Sequence, residues 1–349
     1  MSRNGSLPVN LIAEAIRRVV EGRHLERAEM HEIFGEMMDG RATDVQKSAL
    51  LIALRMKGET SDEITGAAMA MRERVTPLNV ERDGLIDTCG TGGDGRGTFN
   101  ISTIAAIVAA AAGATVAKHG NRAVSSACGS ADLLNALGVV IDLDAEQMSA
   151  VLRRTGIAFL FAPKLHPAMG AVAGVRRELG VRTLFNVLGP LTNPAFARRQ
   201  VLGVYAPHLV EVVAQVLQAL GAEHALVVHS HDGLDEISIS APTRVAEVRE
   251  GGIRLYELTP GDIGVMTHDL EALAGGDAAE NARIAAAILG GEEGALREVV
   301  VANAGAALYV AGLAPTIAGG VEMARQALAS GAAKQKLREL VDVTREVSK

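Results

Sequence analysis

The sequence predicts an α/β protein, with a small N-terminal helical domain followed by a large domain built on a mostly parallel central sheet. Three features predict it. Residues up to about 75 carry only helical spacing and helix-start signals. Beyond residue 85, short apolar runs alternate with helical segments, the pattern of parallel sheets with crossover helices. Polar or Gly-rich loops follow several of these runs, and in parallel sheets ligands bind beyond the carboxyl ends of the strands.

In the first part, Asn10 caps a helix over 11–21, and a second helix spans 26–38. Thr43-x-x-Gln46 and Thr60-x-x-Glu63 read as capping boxes opening two more. Ala49, Leu50, Ile52, Ala53 and Met56 recur at helical spacing, and Val75-Thr76-Pro77 ends the bundle. The helical domain is therefore placed at 1–75 and the α/β domain at 76–349. Strands are expected at 85–88, 115–118, 157–161, 201–205 and 225–229, with helices at 101–112, 130–137, 145–155 and 209–220. The run 243–256 reads as a hairpin turning at Glu250-Gly251-Gly252, and the tail from Asn281 onward as Ala-rich helices without recognisable chemistry.

Composition narrows the class. At 349 residues the chain is long enough for a large core, and 48% apolar against 21% charged residues excludes a disordered chain. Aromatics make up only 3%, with no Trp, which argues against base-stacking platforms for single-stranded nucleic acid. A net charge of −7 offers no bulk attraction to nucleic acid or anionic membrane, and neither is expected as a partner. Cys89 and Cys128 form no CxxC pair, which fits a reducing cytosol; each is read as a small, half-buried side chain. There is no signal-peptide pattern and the longest apolar run, 104–114, is too short to span a bilayer, so a cytoplasmic location is expected.

The chemistry concentrates in DTCGTGGDGRGTFNIST, from Asp87 to Thr103. Its glycines let backbone approach a ligand, and a helix N-terminus behind them offers free N–H groups to an anion. Gly90-x-Gly92-x-x-Gly95 fits the dinucleotide fingerprint, but no acid occurs between Asp94 and Asp132 to bind a ribose hydroxyl. A P-loop would need Gly-Lys-Ser/Thr, where this chain has Gly95-Arg96-Gly97. Both readings fail, leaving a phosphate cradle of another kind. The loop KHGNRAVSS (Lys118 to Ser126) adds cations and hydroxyls after an apolar strand, where a merely solvated basic run is less expected. Asp235-Glu236 suits Mg²⁺ partnered with a phosphate. His229 and His231 have no third soft ligand nearby, which sets zinc aside. Of Arg176 and Arg177, one serves the helix C-terminus and the other is free to bind a carboxylate. The turn-rich run FNVLGPLTNP (Phe185 to Pro194) reads as a hinge or substrate wall.

The blocks CGTGGD, TFNIST, KHGNRAVSS, CGSADLL, FLFAPKLHPAM, VRRELGVRT, FNVLGPLTNPA and DGLDEIS, in this order, resemble the anthranilate phosphoribosyltransferase family. They run from about Asp87 to Ser240, and the helical start also fits; Asn135 departs from the acid usual at its position, outside the ligand loops. The resemblance implies a nucleoside phosphorylase-like fold and a Mg²⁺-dependent transfer of phosphoribosyl from phosphoribosyl pyrophosphate to anthranilate. It places the donor on Gly90, Gly93, Asp94, Thr98, Asn100, Ile101, Ser102, Thr103, Lys118, His119, Gly120, Asn121, Arg122, Ala123, Val124, Ser125, Ser126 and Ser130. Anthranilate falls on Gly90, Asn121 and Arg176, and Mg²⁺, two ions per subunit, on Ser102, Asp235 and Glu236. No general base is assigned, with His119 read as shaping the pocket. A homodimer through the helical domain, joined by part of 165–185, is also implied. The rival of the same fold, a nucleoside phosphorylase, would carry a further C-terminal domain. A non-catalytic nucleic-acid-binding relative would have a basic surface and degraded GTGGD or DE blocks, and this chain has neither.

Overall fold

A computed structural model describes residues 11–123 and 127–349; the expected Asn10 cap and the loop residues Val124, Ser125 and Ser126 lie outside the described residues. Two compact units divide the chain.

The helical unit takes residues up to 75 together with 166–192. It holds α1 (Leu11–Val20), α2 (Arg27–Met38), α3 (Asp44–Lys57) and α4 (Ser61–Arg72). Both Thr capping boxes form: each hydroxyl accepts the N3 backbone N–H, and Gln46 or Glu63 reaches back. Met30, Ile33, Phe34, Leu50, Leu51 and Ile64 make the core. The buried Lys47 ammonium caps the peptide oxygen of Ala171 at 2.7 Å, tying α3 to the second segment.

The α/β unit contains 76–165 and 193–349. Its strands are β1 (Leu85–Asp87), β2 (Thr115–Gly120), β3 (Ile157–Phe161), β4 (Arg199–Gly203), β5 (His224–Ser230), β6 (Thr243–Arg249) and β7 (Gly252–Leu258). They form one sheet in the order β3-β2-β1-β4-β5-β6-β7. Pairing is parallel from β3 to β5, and antiparallel in the β6–β7 edge. The expected hairpin forms at Glu250 and Gly251, both with positive φ. Helices α5 (Ile101–Ala111), α6 (Ser130–Ala136), α7 (Ala145–Thr155), α8 (Ala162–Leu165) and α11 (Leu209–Ala219) connect the strands. Between them in sequence, α9 (Gly170–Leu179) and α10 (Phe185–Leu188) belong to the helical unit. The tail forms α12 (Ala278–Leu289), α13 (Ala295–Val310), α14 (Ile317–Ala329) and α15 (Ala332–Val347).

Strand order reverses between β1 and β4, because β2 and β3 build outward on one side and β5 to β7 on the other. Crevices at such switch points are where open α/β sheets take ligands. The two loops there touch: the Thr91 N–H bonds to the Gly203 carbonyl at 2.8 Å. Gly203 is required by close approach, since a Cβ would sit 1.5 Å from the peptide oxygen of Asp235.

Two expectations need correction. The strand expected to end at Lys118 continues through His119 to Gly120, since pairing with β3 persists to Gly120↔Phe161, so the loop begins later than the run from Lys118 to Ser126 indicates. The segment 185–194 is also less irregular than its turn-rich sequence indicates. It folds as α10 followed by a 3₁₀ turn, Gly189–Leu191, whose last carbonyl accepts from Arg72 at 2.7 Å. Among the described residues, no helix is long and apolar enough to cross a membrane.

Candidate active site

The Gly-rich loop leaves β1 and returns as α5. Gly92, Gly93, Gly95 and Gly97 all take positive φ, the conformation that costs other residues most. Asp94 steadies the loop, its Oδ1 accepting the Arg96 N–H at 3.1 Å. Behind it, Asn100 precedes α5 without capping it. Its amide instead donates to the Cys128 carbonyl at 3.0 Å and accepts from Asn281 of α12 at 2.9 Å. Of the N–H groups opening α5, that of Ser102 is held by the Glu236 carboxylate at 3.2 Å. The Thr103 hydroxyl is buried without a partner.

Beside this terminus the acids gather. The peptide N–H of Asp235 lies 3.4 Å from Asp94 Oδ2. Burial, then Glu236, then Asp94 push the Asp235 carboxyl well above its ordinary range. Burial likewise raises Glu236, against the pull of Lys118 and Ser102. Part-buried carboxylates that repel one another are a poor internal arrangement and a good receptor for a hard divalent cation, which takes oxygen donors. Among the described residues, no three His, Cys, Asp or Glu side chains form a self-sufficient metal cage. The set therefore suits Mg²⁺, which keeps other oxygens from water and phosphate.

Lys118 is 3% exposed, and its ammonium donates to the carbonyl and hydroxyl of Thr88, both at 3.1 Å, and to Ser102 Oγ at 3.3 Å. It bolts β1, β2 and the start of α5 together. Asp87 lies below, accepting from Asn193 at 2.7 Å, from the Cys89 N–H at 3.0 Å and from the His119 N–H at 3.2 Å. Burial pushes its carboxyl up to about 6, against the pull of Lys118 and Asn193. Burial also raises the half-buried Cys89 thiol, which leaves it inert as a nucleophile.

After β2, Asn121 and Arg122 are exposed, and Asp132 of α6 organises the turn. It accepts from Arg122 and from the N–H groups of Ala123 and Gly129, each at 3.0 Å. Burial alone would raise Asp132, but these donors outweigh it and hold the carboxyl below its usual range.

Within the α/β unit the bonds described link Asp94 to Asp235 and join Glu236, Ser102 and Lys118, while Gly90, Gly93, Asn100, Ile101 and Thr103 lie along the Gly-rich loop and the start of α5. Thr98 makes a bridge to Ala274, and Ser130 opens α6. Arg176 belongs to the helical unit, near the end of α9. Burial lowers its pKa, its guanidinium lies 5.1 Å from the Phe185 ring centroid, and no described carboxylate pairs with it. Arg177 beside it is exposed. Sequence reasoning missed Asp132, Asn193 and Asn281 as organisers of the loops. An amide inside an Ala-rich helix, as at Asn281, was the available signal, because buried amides are costly unless bonded.

Two family models match the chain: a glycosyl transferase family α/β domain over residues 82–334, and the helical bundle domain of that family over 13–75. The chain is 57% identical over 334 residues to the anthranilate phosphoribosyltransferase of Anaeromyxobacter sp. (strain K), covering 96% of this chain and 99% of that one. The solved anthranilate phosphoribosyltransferase of Thermus thermophilus superposes with a TM-score of 0.90 at 48% identity, covering 95% of this chain and 99% of the other. That of Saccharomyces cerevisiae, solved with phosphoribosyl pyrophosphate and Mg, gives 0.88 at 26% identity, covering 96% and 98%.

Proposed function

The chain belongs to the anthranilate phosphoribosyltransferase family, and from that premise we propose that it moves the 5-phosphoribosyl group of phosphoribosyl pyrophosphate onto the amino group of anthranilate. The products are N-(5-phosphoribosyl)anthranilate and pyrophosphate, the second step from chorismate in tryptophan biosynthesis. The observation that carries this reading to residues is the convergence of the loop from Gly90 to Thr103, the start of α5 and the Asp235-Glu236 pair at the switch point.

Breaking the ribose C1–O bond passes through an oxocarbenium-like state, and negative charge grows on the departing pyrophosphate. The backbone N–H groups of the Gly-rich loop stabilise that charge where it develops. Lys118 acts from beneath, setting the positions of Thr88 and Ser102 and adding positive charge. Gly120, Asn121, Arg122, Ala123 and Ser130 frame the sugar phosphate, and the resemblance assigns Val124, Ser125 and Ser126, outside the described residues, to the same donor. Ser102, Asp235 and Glu236 hold Mg²⁺, two ions per subunit, whose charge offsets that of pyrophosphate when bound. The aromatic amine needs alignment with C1 rather than a stronger nucleophile, so no side chain is assigned as general base. The resemblance assigns anthranilate to Gly90, Asn121 and Arg176, with its carboxylate on Arg176. His119 shapes the pocket wall.

A homodimer through the helical unit, in the cytoplasm, completes the proposal. Val20 of α1 and Val45 and Met56 of α3 are 72–82% exposed and support that face. Light scattering at twice the chain mass checks it. Loss of anthranilate fluorescence tests the reaction, with each of anthranilate, phosphoribosyl pyrophosphate and Mg²⁺ omitted in turn. Consumption only in the complete mixture is expected; no consumption by folded protein would point to another acceptor on this donor site.

A further inference from the structure

Asn303 lies in the middle of α13, in the tail that carries no motif. It is 2% exposed, and its amide is fully used. Oδ1 accepts the Ile237 N–H at 3.0 Å, while Nδ2 donates to the Ile237 carbonyl and to the Val299 carbonyl, both at 2.9 Å. Ile237 directly follows Glu236, in the connection that leaves β5 before β6 begins. A buried backbone N–H and C=O outside a ladder must find partners, and one side chain supplies both. Asn is a poor choice inside a helix and costly to bury, so the position keeps it for what it bonds. The rest of the connection is pinned separately. Asp232 accepts from Ser238 and Ser240 hydroxyls at 2.6 and 2.5 Å, and Gly203 abuts the Asp235 carbonyl.

We propose that Asn303 is a positioning residue for the Asp235-Glu236 pair: by clamping both backbone groups of Ile237, it fixes the direction in which the two carboxylates present themselves to Mg²⁺. The inference rests on the reading of that pair as the metal site. Partners that orient metal ligands are worth about 10–100-fold in metal affinity when removed.

The test compares Asn303→Ser and Asn303→Leu with Leu308→Ala, a core truncation on the same helix. Ser retains a hydroxyl able to bond the Val299 carbonyl as Asn303 does, and so leaves Ile237 alone without its clamp. Should Asn303→Leu fail to fold, Asn303→Ser carries the test. In metal-free protein, hydrogen exchange at the Ile237 amide is expected to quicken by about tenfold or more in Asn303→Ser and to stay unchanged in Leu308→Ala. Calorimetric binding of Mg²⁺ in the presence of phosphoribosyl pyrophosphate is expected to weaken about tenfold, with the anthranilate KM within about twofold. Unchanged Mg²⁺ binding in Asn303→Ser overturns the proposal, and so does an equal shift in Leu308→Ala. Asp235→Ala separates the two readings. If it leaves Mg²⁺ binding intact, the metal-site reading falls and this proposal with it; if it abolishes binding while Asn303→Ser does not change it, only the role of Asn303 falls.

Discussion

Asp87 ends β1 and Asp235 follows β5 on the same side of the sheet, and the two corners are built in opposite ways. Asp87 is surrounded by donors: an amide, two backbone N–H groups and the charge of Lys118. Asp235 is raised first by burial and then by its acid neighbours Glu236 and Asp94, against the Gly92 backbone N–H. A buried charge with every lone pair answered is scaffold. One left facing its own kind is stored demand for a cation, and it locates the ligand. The difference between a structural and a functional carboxylate is thus one of partners rather than residue type.

The strongest attempt to break this comparison is to remove the frustrated corner. Asp235→Ala combined with Glu236→Ala is expected to lower kcat by roughly 10²–10³-fold and to end the benefit of Mg²⁺, while the metal-free melting temperature holds or rises as repulsion is relieved. Near-normal, Mg²⁺-dependent turnover would place the metal elsewhere. The satisfied corner is expected to behave in reverse. Asp87→Ala leaves one hydrogen of the Asn193 amide and two backbone N–H groups unanswered and should cost about 1–3 kcal/mol in urea unfolding.

The pH dependence of Asp87 has a definite sign. Its folded pKa of about 6 exceeds the roughly 3.9 of an unfolded Asp, so the folded chain holds the proton more tightly. Its contribution is therefore fully present below about pH 4 and is lost as pH rises through about 6. Asp87→Asn should flatten that fall relative to the parent when unfolding is followed at stepped pH; an unchanged slope would remove Asp87 as its source.

Arg176→Ala is expected to raise the anthranilate KM about 10–100-fold with the donor KM little changed, since it forfeits a bidentate carboxylate pair. Equal effects on both constants would remove its assigned role. The smallest effect belongs to plain scaffold. Thr43→Ala should cost about 1 kcal/mol through the lost cap and leave kcat alone. A change in turnover there would show that the Thr43 cap does more than support.

Much of this was readable in the chain because its causes are local. Capping boxes, the Glu250-Gly251 turn and the βα alternation each depend on residues a few positions apart, and they formed within a residue or two of where periodicity put them. The Gly-rich loop announced itself through glycines whose positive φ the structure uses. The family could be read from eight ordered blocks. What the tertiary structure decided is who answers whom. Asn193, Asn281 and Asn303 reach groups 66 to 181 residues away in sequence, and no window sees that pairing. The same holds for β2, which runs through Lys118 and His119 only because β3 arrives to pair with it. A backbone or carboxylate group shows its need in the sequence, but its partner is chosen by packing, and that choice separates the anchored Asp87 from the crowded acids at Asp235 and Glu236.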